Sequence, residues 1–331
     1  MNTHSPKRRP KKILRIAFLL MWLVLLVVIA LNRQSIYDWW QLRDYTPPQT
    51  VSSLASQTTM TDYGRKVFYV NQPSLTSDED FAKACPNSSQ EQTIVLGCYH
   101  GSQGGIYLLD VRDPRLEGVE QVTAAHEMLH AAYDRLNSAE RKRVDAMLEE
   151  YYKNNLTDER IKRTIDAYKQ SEPDDLVNEM HSIFATEIVN LPSNLEQYYK
   201  KYFTNRAQIA LFANKYQAEF SSREAAVDKA DEQLATMKKQ IDSLQSQVQR
   251  KQDEVASERR RLTSLRSSDV DAYNASVPGY NQLVESYNSS VEQLRGLIAS
   301  YNQLVATRNA IALEENQLVN ALSNNVQTIQ E

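Results

Sequence analysis

The spacing of apolar positions changes several times along this chain, and each change predicts a different element. Residues 16–31 are an unbroken run of sixteen apolar side chains. A helix apolar all round belongs in lipid or in a buried core. With Arg15 reaching back to the surface, residues 13–31 read as a transmembrane helix that just spans a bilayer. Polar residues around Pro47-Pro48 follow, so residues 32–60 read as a juxtamembrane linker. Residues 63–69 suggest a short amphipathic helix. A stronger helical signal comes from Val122, Ala125, Leu129, Ala132 and Leu136, at three- and four-residue steps. Between these, residues 93–99 and 105–109 are β-rich runs separated by Ser102-Gln103-Gly104, which predicts a hairpin. Asn137-Ser138-Ala139-Glu140, Thr157, Pro173 and Ser193-Asn194-Leu195-Glu196 open four further helices. Residues 61–205 therefore read as one mainly helical domain with a small hairpin, large enough for one core.

Beyond that the period tightens to 3.5. Val227, Leu234, Ile241, Val248, Val255 and Leu262 form one heptad set; Ala230, Met237, Leu244, Lys251, Glu258 and Leu265 form the other. Such spacing predicts a coiled coil, weakened where Lys251 and Glu258 enter the seam. Ser267-Ser268-Asp269 and Val277-Pro278-Gly279 interrupt it. Tyr280, Tyr287, Leu294 and Tyr301 then recur at seven, with Val284, Val291, Ile298 and Val305 four behind each. Two arrays around a Pro-Gly break predict an antiparallel coiled-coil hairpin over residues 206–331, with self-association or a protein partner as a further use. A continuous rod dimerising with a second chain is the rival arrangement.

Charge fixes the expected orientation. Six basic residues lie between Lys7 and Arg15, against Arg33 and Arg43 soon after the apolar run. That bias makes residues 1–12 a cytoplasmic tail and puts the bulk of a single-pass cell-membrane protein outside. All three Trp, at 22, 39 and 40, fall in or just after the span and, with Tyr37 and Tyr45, form an interfacial aromatic anchor. A signal peptide cleaved after Val28-Ile29-Ala30 is the alternative. The net charge is −4 and the basic residues are dispersed, which argues against a nucleic-acid partner. Two Cys, 85 and 98, suit one disulfide in an oxidising compartment, with a catalytic Cys beside His100 as the other option.

The candidate chemistry sits in the strongest helical run. His126-Glu127-Met128-Leu129-His130 puts two imidazoles four residues apart on one helix face, where both can reach one metal ion. Glu127 projects beside them, where it can take a proton from a zinc-bound water. A catalytic zinc takes three protein ligands and one water, so a third ligand is needed from elsewhere. The best source is the stretch of residues 177–187, with Glu187, His181 and Asp134 as alternatives in falling order.

His126-Glu127-x-x-His130 followed by a helix carrying Asn178-Glu179 before a small-and-apolar stretch resembles the gluzincin metallopeptidases, across roughly residues 118–190. The resemblance implies Glu179 as third zinc ligand beside His126 and His130, with Glu127 as general base. It also implies that the strand of residues 105–109 edges the cleft and holds an extended peptide by strand addition. Two features depart from the family pattern. The gap from His130 to Glu179 is about fifty residues where about twenty is usual, and Ile183 stands where an Asp would orient the first His. Ser182 or His181 is expected to serve instead. Any of Tyr99, Tyr198, Tyr199 and Tyr202 could stabilise an oxyanion, though a run of Tyr on a helix is more often packing.

The fold class expected is thus mainly α: a transmembrane helix, a small α+β zincin-like domain and a coiled-coil hairpin. The function expected is a membrane-anchored extracytoplasmic zinc peptidase, with one Zn²⁺ per chain, acting on a peptide or protein. The alternative is a non-catalytic envelope scaffold whose metal site is structural or vestigial.

Overall fold

A computed structural model describes residues 11–86, 95–101 and 104–322. The described residues form two compact units, one running to Lys215 and taking in Leu322, the other Tyr216–Ala321.

The first unit opens with α1 (Lys11–Leu31) and α2 (Arg33–Leu42). Every residue from 17 to 31 is exposed. Among the described residues no single helix is long and apolar enough to cross a membrane; Ala17–Leu31 and Arg33–Leu42, bent by 65° at their break, pass that test only together. The expected linker is instead structured. It contains α2 and α3 (Gln49–Gln57), and Val51, Leu54 and Ala55 of α3 lie in the core. Those three positions make a one-residue-wide apolar stripe on a nine-residue helix. The Ser, Thr and Gln around it give the segment a linker's composition. The short helix expected near residue 63 is α4 (Asp62–Val70), capped by Thr61, whose hydroxyl accepts from the Gly64 amide.

The sheet has three strands in the order β1 (Ser74–Thr76), β3 (Ile106–Leu109), β2 (Gly97–Tyr99). The expected hairpin is the antiparallel β2–β3 pair, with Cys98 opposite Tyr107; β1 joins β3 in parallel on its other side. Residues 93 and 94 of the expected first strand lie outside the described residues. α5 (Asp78–Ala84) follows β1, and the disulfide Cys85–Cys98 ties its end to β2.

The centre of this unit is α6 (Val119–Asp134), packed against α3, α4, β2, β3 and α9 (Leu176–Glu187). Ala124, Ala125, Met128, Leu129, Ala131 and Ala132 are buried. Four alanines among six such positions let neighbouring backbones come close on several sides, as a central helix requires. Its entry is tight: Gly118 has φ +109°, and a Cβ there would stand 2.7 Å from the Phe212 carbonyl oxygen.

α7 (Ser138–Asn154) begins at the expected capping box, with Asn137 and Glu140 bonded reciprocally. α8 (Glu159–Ser171) is capped by Asp158, one residue after the expected Thr157. α10 (Ser193–Tyr199) has no side-chain cap; Glu196 instead accepts from the Leu191 amide and grips Arg206. The buried Arg206 donates to the carbonyls of Ala185 (2.9 Å), Ile188 (2.5 Å) and Val189 (2.8 Å). It thereby satisfies acceptors left open at and just past the C-terminus of α9.

The long helices are α11 (Ala207–Ser268) and α12 (Val270–Leu322). The first turns of α11, with Ile209, Ala210 and Ala213 buried, belong to the first unit, so the boundary falls about ten residues after the expected one between residues 205 and 206. Within the second unit the pair is antiparallel. Arg223 meets Glu314 (3.5 Å), Arg308 meets Asp231 (3.0 Å), and Lys251 Nζ meets the hydroxyls of Ser286 (2.7 Å) and Ser290 (2.8 Å). Both predicted heptad sets of α11 form its less exposed stripe. On α12, Leu297 takes the place expected for Ile298, which is exposed. The break is not at Pro278-Gly279, which lie inside α12, but at Asp269, whose carboxylate caps α12 through the Ala272 amide. A proline ends a helix only by steric pressure and one lost hydrogen bond, whereas a capping Asp between two seams offers a new start.

Candidate metal centre

Two helices bring the candidate ligands together. On α6, His126 and His130 stand one turn apart, with ring centroids 4.7 Å from each other. From α9, Glu179 reaches between them: Oε2 lies 3.5 Å from His126 Nε2 and Oε1 lies 3.4 Å from His130 Nε2. The three ligand atoms fall within 4.8 Å of one another, and His130 and Glu179 are buried. Glu179 Oε2 is buried and makes no hydrogen bond. A carboxylate oxygen in that state lacks the partner its desolvation demands. Two imidazole nitrogens and a carboxylate are a donor set that fits Zn²⁺ and leaves a fourth tetrahedral position open.

Without a metal, protons occupy this arrangement. Burial pulls His126 down, yet the Glu179 carboxylate 3.5 Å away, with the charges of Glu127 and Glu187, outweighs it and holds His126 at about 9. Burial pushes Glu179 up, but the two histidines hold it below its ordinary value.

Glu127 is buried, and its carboxyl packs against β2: a Cβ on Gly97 would fall 2.8 Å from Glu127 Oε1. Burial raises its pKa, and the positive charge of the neighbouring histidines only partly offsets this. A carboxylate made more basic by desolvation, beside a candidate metal, is suited to accept a proton.

The other candidates for third ligand are engaged elsewhere. Glu187 pairs with Arg160 at 2.6 Å. Asp134 lies toward Arg141 and Tyr99. His181 is fully buried, with Nε2 2.9 Å from the Tyr198 hydroxyl; burial, with the charges of His130 and His126, drives it down to about 3, so it is neutral. It sits in a box of Tyr133, Tyr198, Tyr199 and Tyr202. The Tyr198 hydroxyl also meets that of Tyr202, and Tyr199 donates to the His181 carbonyl. These tyrosines hold α10 against α9, the packing role. Ile183, where the family pattern has Asp, is a core residue. Ser182 Oγ lies 3.5 Å from Nδ1 of His130, the second histidine rather than the first, which the family's Asp would orient.

One expectation is overturned. The strand of residues 105–109 cannot take a peptide, because β3 is the middle strand with both edges paired. Among the described residues the edge strand over the site is β2. The bonds Leu109 N–H to Leu96 and His100 N–H to Gly105 fix the alternation, so Gly97 and Tyr99 turn their backbone groups away from β3. Cys85, Cys98 and His100 also cluster, but the two sulfurs are bonded to each other and His100 meets the Ala84 carbonyl at 2.8 Å. Gly97 and Arg206 carry no sequence signal for their roles; each is defined by what the fold brings against it. Compared with protein-family models, curated proteins and solved structures, the chain matches none.

Proposed function

We propose that this chain is a zinc-dependent peptidase of gluzincin type, tethered by its apolar N-terminal helix and working on the extracytoplasmic side of a membrane. The observation that carries the reading is the convergence of His126, His130 and Glu179, from two helices, beside the buried Glu127. His126 Nε2, His130 Nε2 and a Glu179 carboxylate oxygen would hold one Zn²⁺. Bound there, the ion supplies Lewis acidity, polarising a peptide carbonyl and acidifying water. Glu127 accepts the proton of the attacking water at its carboxylate and delivers it to the leaving amine. The outward backbone groups of Gly97 and Tyr99 on β2 pair with an extended peptide, which sets the scissile bond over Glu127. Ser182 steadies the His130 ring, and Arg206 keeps the end of α9 intact. The disulfide Cys85–Cys98 supports an oxidising compartment.

The test is metal content of the purified full chain beside His126→Ala and Glu179→Ala variants. About one zinc per chain, lost in both variants, is expected. No zinc in the parent after reloading would remove the peptidase reading and leave a tethered scaffold.

A further inference from the structure

Helix α2 has its amphipathicity inverted. A helix packed on a globular domain normally turns its apolar stripe inward and its charges to water. On α2 the inward residue is Asp38, 2% exposed, which accepts from both terminal guanidinium nitrogens of Arg135 (2.9 and 3.1 Å), from Lys66 (2.9 Å) and from Gln34 (3.1 Å). The opposite stripe, at three- and four-residue spacing, is Ile36, Trp39, Trp40 and Arg43. Trp39 and Trp40 are each 63% exposed and Ile36 47%. Single exposed apolar residues are ordinary, but two adjacent tryptophans and an isoleucine on one face, backed by a buried carboxylate, are not.

The neighbouring element says what covers this face. α2 starts one residue after α1, whose side chains from 17 to 31 are all exposed and, from Ala17 to Leu31, all apolar. The two helices meet at 65°. If α1 enters a bilayer, α2 turns off it at the level where the chain leaves the hydrocarbon. Trp is the side chain that favours this level, with its ring in the headgroup zone. Arg33 and Arg43 are exposed at the two ends of α2, where phosphates would meet them, and the Arg43 guanidinium lies 5.8 Å from the Trp39 ring.

We infer that the Ile36–Trp39–Trp40 face of α2 is a membrane-surface contact, seated in the headgroup region of a phospholipid bilayer. The inference rests on the proposed tether and adds to it a second, flat contact. Arg135 is the C-cap of α6, so the Asp38 cluster links the lipid surface directly to the helix that carries His126 and His130. The metal centre is then held at one attitude to the membrane rather than on a flexible leash.

The experiment uses the full chain in phospholipid nanodiscs and reads tryptophan fluorescence. Only three tryptophans exist, so Trp22→Phe leaves a signal from Trp39 and Trp40 alone, and Trp39→Phe/Trp40→Phe leaves Trp22 alone. In Trp22→Phe, quenching by lipid spin-labelled near the headgroup, with loss of quenching by aqueous iodide, is expected. Full iodide quenching without lipid quenching would overturn the inference. So would shielding from both, which would mean that protein covers the face. The Trp22-only chain separates the two readings. Quenching of Trp22 by chain-end spin labels keeps the tether even where the α2 contact fails, whereas no lipid quenching in either chain removes the tether as well.

Discussion

Gly97→Ala tests whether β2 lies on the general base. The added methyl would stand 2.5 Å from Thr123 Cγ2 and 2.8 Å from both Cγ and Oε1 of Glu127, where ordinary carbon contacts need about 3.5–4.0 Å. Roughly 1 Å of retreat is therefore required. Thr123 and Glu127 both belong to α6, the most enclosed helix of the unit, and β2 is held by β3 and by the disulfide at Cys98. Neither side yields freely. Overpacking of this kind costs about 2 kcal/mol, or roughly 4–8 °C in Tm for a unit of this size. The metal ligands are not touched, so zinc content should stay at the parent level. Displacing Glu127 by even 1 Å should lower peptide hydrolysis by about 10²-fold. Thermal unfolding, elemental analysis and initial rates on one preparation read all three. Gly279→Ala is the control: beyond the neighbouring backbone of its own helix nothing lies within 4 Å of the added Cβ, and in a helix interior the change should stabilise by roughly 0.5–1 kcal/mol. A Gly97→Ala protein with parent Tm and parent rate would refute the contact between β2 and Glu127.

Three further outcomes are expected. Glu127→Gln should keep its zinc and lose hydrolysis; surviving activity would take the proton-accepting role away from Glu127. Zinc titration of the metal-free protein at pH 7, by calorimetry in buffers of different ionisation enthalpy, should release about one proton, since His126 at about 9 must give up its proton to ligate. The sign in the metal-free protein follows: the His126 contribution to stability is complete below 6.5 and lost as pH rises through about 9, while the lowered Glu179 contributes above 4.5 and is lost on acidification. Equal heats in all buffers would contradict a protonated His126. Arg206→Ala strips the carbonyls of residues 185, 188 and 189 of their donor and should cost about 3 kcal/mol, read by denaturant unfolding and by faster hydrogen exchange in α9. Unchanged exchange there would mean water replaces the guanidinium.

Much of this molecule was legible because its signals are local or periodic. The His126–His130 spacing needs only one helix, and both heptad stripes need only two. Bringing Glu179 to that site depended on a resemblance in sequence; the structure supplies the contact, at 3.4 and 3.5 Å. What stayed hidden arises from long-range pairing. α3 buries only Val51, Leu54 and Ala55 within a polar composition, too few positions to separate a helix from a linker. The rank of β3 within the sheet depends on β1, a three-residue strand with no alternation to read. The roles of Arg206 and Asp38 are set by partners at the far ends of other elements, which no spacing announces.

The lysine in the seam has a consequence for alignment. A heptad pair is nearly degenerate: sliding one helix by seven residues restores most apolar contacts. At Lys251 the degeneracy ends. In the observed alignment its ammonium finds the hydroxyls of Ser286 and Ser290; one step either way would face it with Gln293 and Leu297, or with Gly279 and Leu283. The same slip would exchange Arg308 opposite Asp231 for Tyr301 or Glu315. Two polar pairs, twenty residues apart on α11, thus work as a vernier, giving up some seam hydrophobicity so that a repetitive sequence has one way to close.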